Sequence, residues 1–191
     1  QFMADIFLEC DSCKGKRFKK KILDIQYNDK NIFEVLNLTI EESLSFFNNN
    51  NSVIKKLKPL NDVGLGYLKL GQPSSTLSGG EAQRLKLASY LVDENKKSLQ
   101  KTLFIFDEPT SGLHYSDISN FMKSIQKLIS IGNSVIIIEH NTDLIKQADW
   151  LIDLGPGGGE FGGRICFSGY PKDIITKKGN KTGKYLKKMF V

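Results

Sequence analysis

The sequence predicts an α/β fold in which a mostly parallel sheet is flanked by helices. Two continuous apolar runs, residues 102–106 and 134–138, have the composition of strands that are buried on both faces. Between them, apolar residues recur at helical spacing over 116–131. Strands that alternate with helices in this way are typical of parallel sheets that are covered by helices on both sides.

The part of the chain before this sheet is predicted to be mainly helical. Thr39 and Glu42 form a capping-box pattern, which predicts that a helix starts at Thr39. Pro59 is expected to interrupt the next helix because proline lacks the backbone N–H. The predicted elements are strands at 3–9 and 22–27, a turn at 28–31, a helix or strand at 32–38, and helices that start near 39, 53 and 80.

The C-terminal part repeats the alternation of strands and short helices. Gly132 is expected to end the helix over 116–131. The glycines of 155–163 predict a tight loop. Further predicted elements are a short helix around 144–145, strands at 150–154 and 165–167, and helices at 171–176 and 182–190.

Length and composition limit the classes of protein to which the chain can belong. It has 191 residues, of which 40% are hydrophobic, enough for the core of one domain with a small appendage. No apolar run is long enough to cross a membrane, and the N-terminus has no signal-peptide pattern. Three cysteines, an odd number, favour a reducing, cytoplasmic location. The absence of an initiator Met suggests a chain cut from something longer.

The net charge of +6 is concentrated in two lysine-rich clusters, one near each end of the chain. Such clusters are compatible with binding to nucleic-acid phosphates, although a simply solvated basic surface is an equal alternative. The N-terminal cluster provides the candidate DNA contacts, which are Lys14, Lys16, Arg17, Lys19, Lys20 and Lys21.

Two acidic residues and a histidine follow the two apolar runs. Asp107 and Glu108 come at the end of the first run, and His140 follows the second. Ligands bind at the carboxyl ends of the strands in open α/β sheets, so we expect these side chains to lie at one edge. One carboxylate could hold Mg²⁺ and the other could orient a water molecule. The alternatives are acids that cap the next helix and a structural histidine.

Ser78-Gly79-Gly80 directly precedes the helix that is predicted to start near residue 80. Glycines at a helix N-terminus let an anion approach the unbonded backbone N–H groups, and the helix dipole favours its negative charge. An ordinary start, capped by Ser78 and supported by Glu81, is an equally good interpretation.

Together, four segments resemble motifs of the ABC ATPases. The segment that begins Ser78-Gly79-Gly80-Glu81 resembles the signature, and the run that ends Asp107-Glu108-Pro109-Thr110 resembles the Walker B strand with its catalytic Glu. Ser111-Gly112-Leu113-His114 is similar to the D-loop, and Ile138-Glu139-His140-Asn141 is similar to the switch-histidine loop. This resemblance implies a P-loop NTPase fold of the ABC type.

Three segments narrow the resemblance within the ABC ATPases. They are Leu70-Gly71-Gln72-Pro73, the Ser-Gly-Leu-His loop, and the segment from Ala148 to Pro156 with its glycine loop. In these segments the chain resembles the UvrA family, the damage-recognition subunits of bacterial nucleotide excision repair. The segment from Cys10 to Arg17 resembles half of a zinc module in that family. On this resemblance, residues 1–28 would be a zinc-module remnant, 29–70 a helical connection, and 71–191 the C-terminal part of the second ABC domain.

The resemblance implies a role for each candidate residue. Glu108 would polarise the hydrolytic water, His140 would touch the γ-phosphate of ATP, and Asp107 would hold Mg²⁺ through water. Cys10 and Cys13 would be two thiolate ligands of a Zn²⁺. The residues that would bind a nucleotide held by the other ABC half are Ser78, Gly79, Gly80 and Glu81. The implied partners are damaged duplex DNA, the other ABC half, a second UvrA-like protomer and a UvrB-like subunit, with no membrane.

The sequence also departs from the ABC pattern. No G-x-x-x-x-G-K-[ST] occurs, so the phosphate-binding P-loop is missing and the chain alone is predicted to be inactive as an ATPase. Two cysteines alone do not complete a tetrahedral zinc site. A nucleotide-independent, basic DNA-binding scaffold is therefore the alternative function. An ABC transporter domain is disfavoured by the C-x-x-C segment and the Ser-Gly-Leu-His loop.

Overall fold

A computed structural model of the chain describes residues 10–92 and 101–189. The chain divides into two compact units, Gln1–Leu99 and Gln100–Val191. The strand predicted at 3–9 lies outside the described residues. No helix among the described residues is both long enough and apolar enough to span a bilayer. The mixed α/β class predicted from the sequence is confirmed.

The first unit is mainly helical and contains one small antiparallel hairpin. Its described elements are α1 (Lys20–Leu23), β1 (Gln26–Tyr27), β2 (Lys30–Asn31), α2 (Ile32–Asn37), α3 (Ile40–Phe46), α4 (Asn51–Asp62) and α5 (Gly79–Val92). The strand predicted over 22–27 is wrong except for Gln26–Tyr27, because Lys20–Leu23 form a helical turn. Asn28 and Asp29 have φ angles of 48° and 61°, the left-handed pair that tight hairpin turns require.

Side-chain caps start two consecutive helices of this unit. Thr39 accepts a hydrogen bond from the backbone of Glu42, and Glu42 accepts one in return, so the predicted capping box is confirmed. Asn31 and Glu34 form a second box, and the ambiguous stretch 32–38 is a helix over Ile32–Asn37 that ends before the extended Leu38.

The predicted interruption of the next helix at Pro59 is wrong. Helix α4 continues through Pro59 to Asp62. It packs against α3 and α5 and buries Leu57. We infer that this tertiary packing outweighs the loss of one backbone hydrogen bond.

The core of the first unit is formed by apolar side chains of α3, α4 and α5 and of the segment between the last two. Its fully or nearly buried members include Ile40, Leu57, Val63, Leu65, Leu68, Leu87 and Ala88. The sequence predicts an apolar stripe of Leu85, Ala88 and Leu91 on α5. Ala88 is buried, whereas Leu85 is 37% exposed and Leu91 is half-buried, and the buried face also includes Arg84 and Leu87.

The second unit contains a parallel and an antiparallel strand pair. Its described elements are β3 (Leu103–Asp107), α6 (Tyr115–Ser130), β4 (Ser134–Ile138), α7 (Thr142–Ile145), β5 (Leu151–Gly155), β6 (Arg164–Gly169) and α8 (Lys181–Leu186), with short 3₁₀ turns among them. Strands β3 and β4 pair in parallel, with Leu103 opposite Ser134 and Asp107 opposite Ile138. Strands β5 and β6 pair antiparallel.

The expectation that β3 and β4 are buried on both faces is wrong. Phe106 is buried and its ring makes an edge-to-face contact with Phe121 of α6, at 6.2 Å between centroids. The alternate side chains are about half exposed; they are Leu103, Ile105, Ile136 and Ile138. Successive side chains of a strand point to opposite faces, and here only one face is covered by α6.

Helix α6 supplies most of the core beside the parallel strands. The sequence predicts one apolar stripe on this helix, formed by Ile118, Phe121, Met122, Ile125, Leu128 and Ile129. The helix buries all of them except Ile129, which is half-buried. Gly132, at φ 93°, follows the helix end in a conformation that favours glycine. A second cluster joins α7, β6 and α8 through Ile145, Phe167, Ile174 and Leu186.

Candidate functional site

Strands β3 and β4 end together, as predicted for neighbouring parallel strands. Asp107 is the last residue of β3, and the backbone N–H of Glu108 donates to the carbonyl of Ile138 at 2.9 Å. The two polar segments that follow these strands are therefore held side by side. Glu108 has φ 46°, a left-handed conformation that is uncommon for residues other than glycine.

The Glu108 carboxylate and the His140 imidazole lie close together at this edge. Glu108 Oε1 and His140 Nδ1 are 3.8 Å apart, and their side chains are 59% and 82% exposed. The structure thus brings together the two candidate catalytic residues, with Asp107 next to them in the chain. An acceptor and a donor that are both open to solvent could engage a water molecule and a phosphate oxygen.

Glu139 is a buried member of this edge that the sequence analysis did not select. Its side chain is 2% exposed, and it accepts hydrogen bonds from Thr110, His140 and Asn141. Burial by itself raises the pKa of Glu139. The donors from Thr110, and then those from Asn141 and His140, outweigh burial and hold the pKa below its ordinary value.

The Ser78-Gly79-Gly80 segment starts α5 with a capping box. The N–H of Ser78 donates to Glu81 Oε2 at 2.6 Å, and the N–H of Glu81 donates to Ser78 Oγ at 3.3 Å. The capped-helix interpretation is therefore confirmed. Space remains beside Gly79, because a Cβ added there would meet no heavy atom within 4 Å outside its chain neighbours and the backbone of its own helix. The capped start therefore leaves room for a ligand at Gly79.

Glu81 joins this helix start to Tyr67 and lies within the electrostatic influence of a buried arginine. The Tyr67 hydroxyl donates to Glu81 Oε1. That bond, followed by the one from the Ser78 N–H, lowers the pKa of Glu81, and the charge of Arg84 contributes. Arg84 is fully buried on α5. The sequence had placed it beside the apolar stripe, and its spacing of three residues from Leu87 was the available indication of burial.

The C-x-x-C segment forms a compact turn. The N–H of Lys14 donates to the carbonyl of Cys10 at 2.7 Å, and that of Lys16 donates to the carbonyl of Cys13 at 2.9 Å. Hydrogen bonds from the backbone of Cys13 and of Ser12 lower the pKa of the exposed Cys10 thiol, which favours the thiolate that metals bind. Among residues 10–92 and 101–189, however, no cluster of three or more metal-ligating side chains occurs.

All six candidate DNA contacts lie at the surface; they are Lys14, Lys16, Arg17, Lys19, Lys20 and Lys21. Arg17 has a structural contact as well, because its Nη1 donates to the carbonyl of Gly71 at 2.8 Å. This bond ties the cysteine-containing turn to the segment that leads to Ser78.

Comparison with known proteins gives a consistent result along nearly the whole chain. UvrABC system protein A of Clostridium acetobutylicum is 52% identical over 189 residues, which are 99% of this chain. The Aquifex aeolicus protein of the same name is 49% identical over 187 residues. The chain spans about a fifth of the length of these curated relatives. No protein-family model matches it.

A solved structure agrees with these relatives. The crystal structure of UvrA2 from Deinococcus radiodurans superposes with a TM-score of 0.77 at 40% sequence identity. The match covers 94% of this chain and 22% of the Deinococcus chain.

Proposed function

We propose, from the premise that the chain belongs to the UvrA family, that it forms part of an ABC ATPase that recognises DNA damage in nucleotide excision repair. The observation that carries the proposal is the pairing of Glu108 and His140 at the common end of two parallel strands. In this proposal, ATP binding and hydrolysis gate the binding of distorted duplex DNA.

The proposed hydrolytic roles are those that the family resemblance implies for three side chains. Glu108 orients the attacking water, and His140 donates a hydrogen bond to the terminal phosphate. Asp107, at the end of β3, would help to hold Mg²⁺, which would supply positive charge to neutralise the phosphates. The exposure of Glu108 and His140 supports these roles, since a nucleotide could reach both.

The start of α5 is proposed to bind the γ-phosphate of a nucleotide that another ABC half holds. The residues of this half site are Ser78, Gly79, Gly80 and Glu81. Helix α5 has 14 residues, and the space beside Gly79 is open. Because the capping box uses the carboxylate of Glu81, we infer that Glu81 shapes the helix start, while backbone N–H groups meet the anion.

The cysteine turn and the basic residues are proposed to serve DNA binding. Cys10 and Cys13 would supply two of the four ligands of a structural Zn²⁺, and the lowered pKa of Cys10 fits that role. The exposed lysines would contact DNA phosphates. Other proposed partners are a second UvrA-like protomer and a UvrB-like subunit. A nucleotide-independent DNA scaffold is the second candidate, favoured by the missing P-loop sequence.

A chimaera tests the ATPase proposal. In it, this chain replaces the matching fifth of the Clostridium acetobutylicum protein, to which it is 52% identical. We expect the chimaera to release phosphate from ATP and Glu108→Gln to reduce the rate by about 10²-fold or more. Glu160→Gln, at an exposed position, is the matched control and should keep the rate. A Glu108→Gln chimaera with an unchanged rate would refute the role of Glu108.

The isolated chain provides the complementary test. Without a P-loop sequence, we expect no phosphate release above that of its own Glu108→Gln variant. Release that exceeds this background and disappears on that substitution would contradict the expectation.

A further inference from the structure

Glu139 occupies the position between strand β4 and the exposed His140. The side chain of Glu139 is 2% exposed, whereas that of His140 is 82% exposed. Neighbouring residues of an extended segment point to opposite sides. The Glu139 carboxylate is thus buried while the His140 ring is exposed, although Glu139 Oε2 lies 3.8 Å from His140 Nδ1, as near as Glu108 Oε1 does. The proposed hydrolytic roles make no use of Glu139.

The two carboxylate oxygens of Glu139 bind two different segments. Oε1 accepts from the Thr110 N–H at 3.0 Å and from the Thr110 hydroxyl. Oε2 accepts from the N–H groups of His140 at 2.9 Å and Asn141 at 3.1 Å. One side chain thus joins the segment that follows Glu108 to the segment that holds His140, across 29 positions of sequence.

Each segment is also anchored beyond Glu139. The N–H of Ser111 donates to the carbonyl of Glu108 at 3.1 Å, which closes a turn around Thr110. Asn141 Oδ1 accepts from the N–H of Asp143 at 2.9 Å and so caps α7. Glu139 is therefore the link between two locally ordered turns, one of which includes Glu108 and the other of which adjoins His140.

An ionised carboxylate is well suited to this link. It offers acceptor sites on both oxygens and has no donor, so it satisfies the donors from both segments at once. Glutamine has one oxygen and one NH₂ group. Whichever way its amide is turned, the NH₂ would face N–H donors on one side. Glu139→Gln should therefore release one segment while it preserves the size of the side chain.

We propose that Glu139 is a positioning residue: it joins the Thr110 turn to the His140 loop and thereby sets the separation of the Glu108 carboxylate from the His140 imidazole. The consequence for hydrolysis rests on the proposed function. The link itself does not, since it is made entirely by residues of this unit.

Amide hydrogen exchange of the ¹⁵N-labelled chain tests the link without nucleotide. In Glu139→Gln we expect exchange to rise about tenfold or more at Thr110, or at His140 and Asn141. The Glu108 amide, which is bonded to Ile138, should stay protected and report that the strand pair is intact. Glu108→Gln makes the same chemical change at an exposed carboxylate and should leave these amides protected.

The ring signals of His140 test the positioning. The chain has two histidines, so His114 serves as an internal reference. At neutral pH, Glu108→Gln should move the Cε1–Hε1 signal of His140. The same substitution in the Glu139→Gln background should move it by less than half as much, because the two groups are no longer held together. The Glu139 carboxylate also lies 3.8 Å from His140 Nδ1, so the comparison uses the displacement caused by Glu108→Gln within each background and not the position of the signal.

Two results would overturn the proposal. One is unchanged exchange at all three amides in Glu139→Gln, and the other is an equal His140 displacement in both backgrounds. Thr110→Val removes only the hydroxyl donor to Glu139 and is the milder variant if Glu139→Gln does not fold. It should raise exchange at Thr110 and reduce the displacement by a smaller amount. All of these measurements are made without nucleotide, so they test the link whether or not the chain binds ATP.

Discussion

Neutralising the lysines at the start of α1 should weaken DNA binding in a salt-dependent way. Lys19, Lys20 and Lys21 are exposed, and the last two open the four-residue helix Lys20–Leu23. Replacement of all three by glutamine removes positive charge but keeps polar side chains of moderate length. The expected result is a DNA affinity that is lower and also less sensitive to salt, because fewer counterions are released from the phosphates on binding.

The geometry of α1 limits the size of the effect. Successive helical residues are rotated by about 100°, so Lys20 and Lys21 point in different directions. Lys19 is the extended residue before the helix, with ψ 152°. We therefore expect at most two of the three lysines to contact phosphates of one duplex. Each contact contributes about 0.9 to the magnitude of the slope of log K against log salt, so the loss of two contacts should make the slope shallower by about 1.8.

The assay is fluorescence anisotropy with a labelled duplex over a range of salt. Between about 50 and 200 mM salt, the ratio of wild-type to variant affinity should shrink roughly tenfold. The matched control replaces Lys55 and Lys56, which are exposed on α4, by glutamine and should leave the slope unchanged. An equal slope for wild type and for the α1 variant would refute the assignment of these lysines to DNA binding, and they would then be solvated surface.

Three further predictions concern stability and reactivity. Thr39→Ala removes the cap of α3 and should lower the free energy of unfolding by about 1 kcal/mol in urea titrations, whereas Thr76→Ala should cost less because Thr76 caps no α-helix. The pKa of Glu139 in the folded protein lies below its ordinary value of 4.5, so the ionised carboxylate stabilises the fold above pH 4.5, and this contribution is lost as the pH falls through the folded-state pKa. Glu139→Gln should therefore lose less stability in acid than the wild type does. An equal loss of stability in both proteins would contradict this. Cys10 should react with iodoacetamide faster than Cys166 at neutral pH, as followed by peptide mass spectrometry, because hydrogen bonds lower its pKa.

Local signals in the sequence predicted the parts of the fold that depend on neighbouring residues. The capping box of Thr39 and Glu42 involves residues three apart, and it occurs as predicted. The strand over 134–138 also has the predicted bounds. The shared end of the parallel strands followed from two apolar runs and the helix between them, so the proximity of Glu108 and His140 could be expected.

The features that the sequence did not predict depend on contacts between distant segments. Alternating apolar residues over 22–27 favoured a strand, but that pattern does not reveal that Lys20–Leu23 form a helical turn. An unbroken apolar run likewise predicts burial on both faces, whereas Ile105 and Ile136 are half exposed. Burial of Arg84 was also missed, because a charged residue is expected at the surface unless its partners are known.

The segment after β4 shows how far a motif can predict a site. The motif selects His140 because of its side-chain chemistry, and it treats Glu139 as the residue before it. Since side chains alternate along an extended segment, a residue that faces the ligand requires that its neighbour face the core. A carboxylate in that position must be matched with donors, and its donors come from Thr110 as well as from its own loop. Exposure of His140 and burial of Glu139 are thus two consequences of one backbone conformation, and substitutions at either residue should be interpreted as a pair.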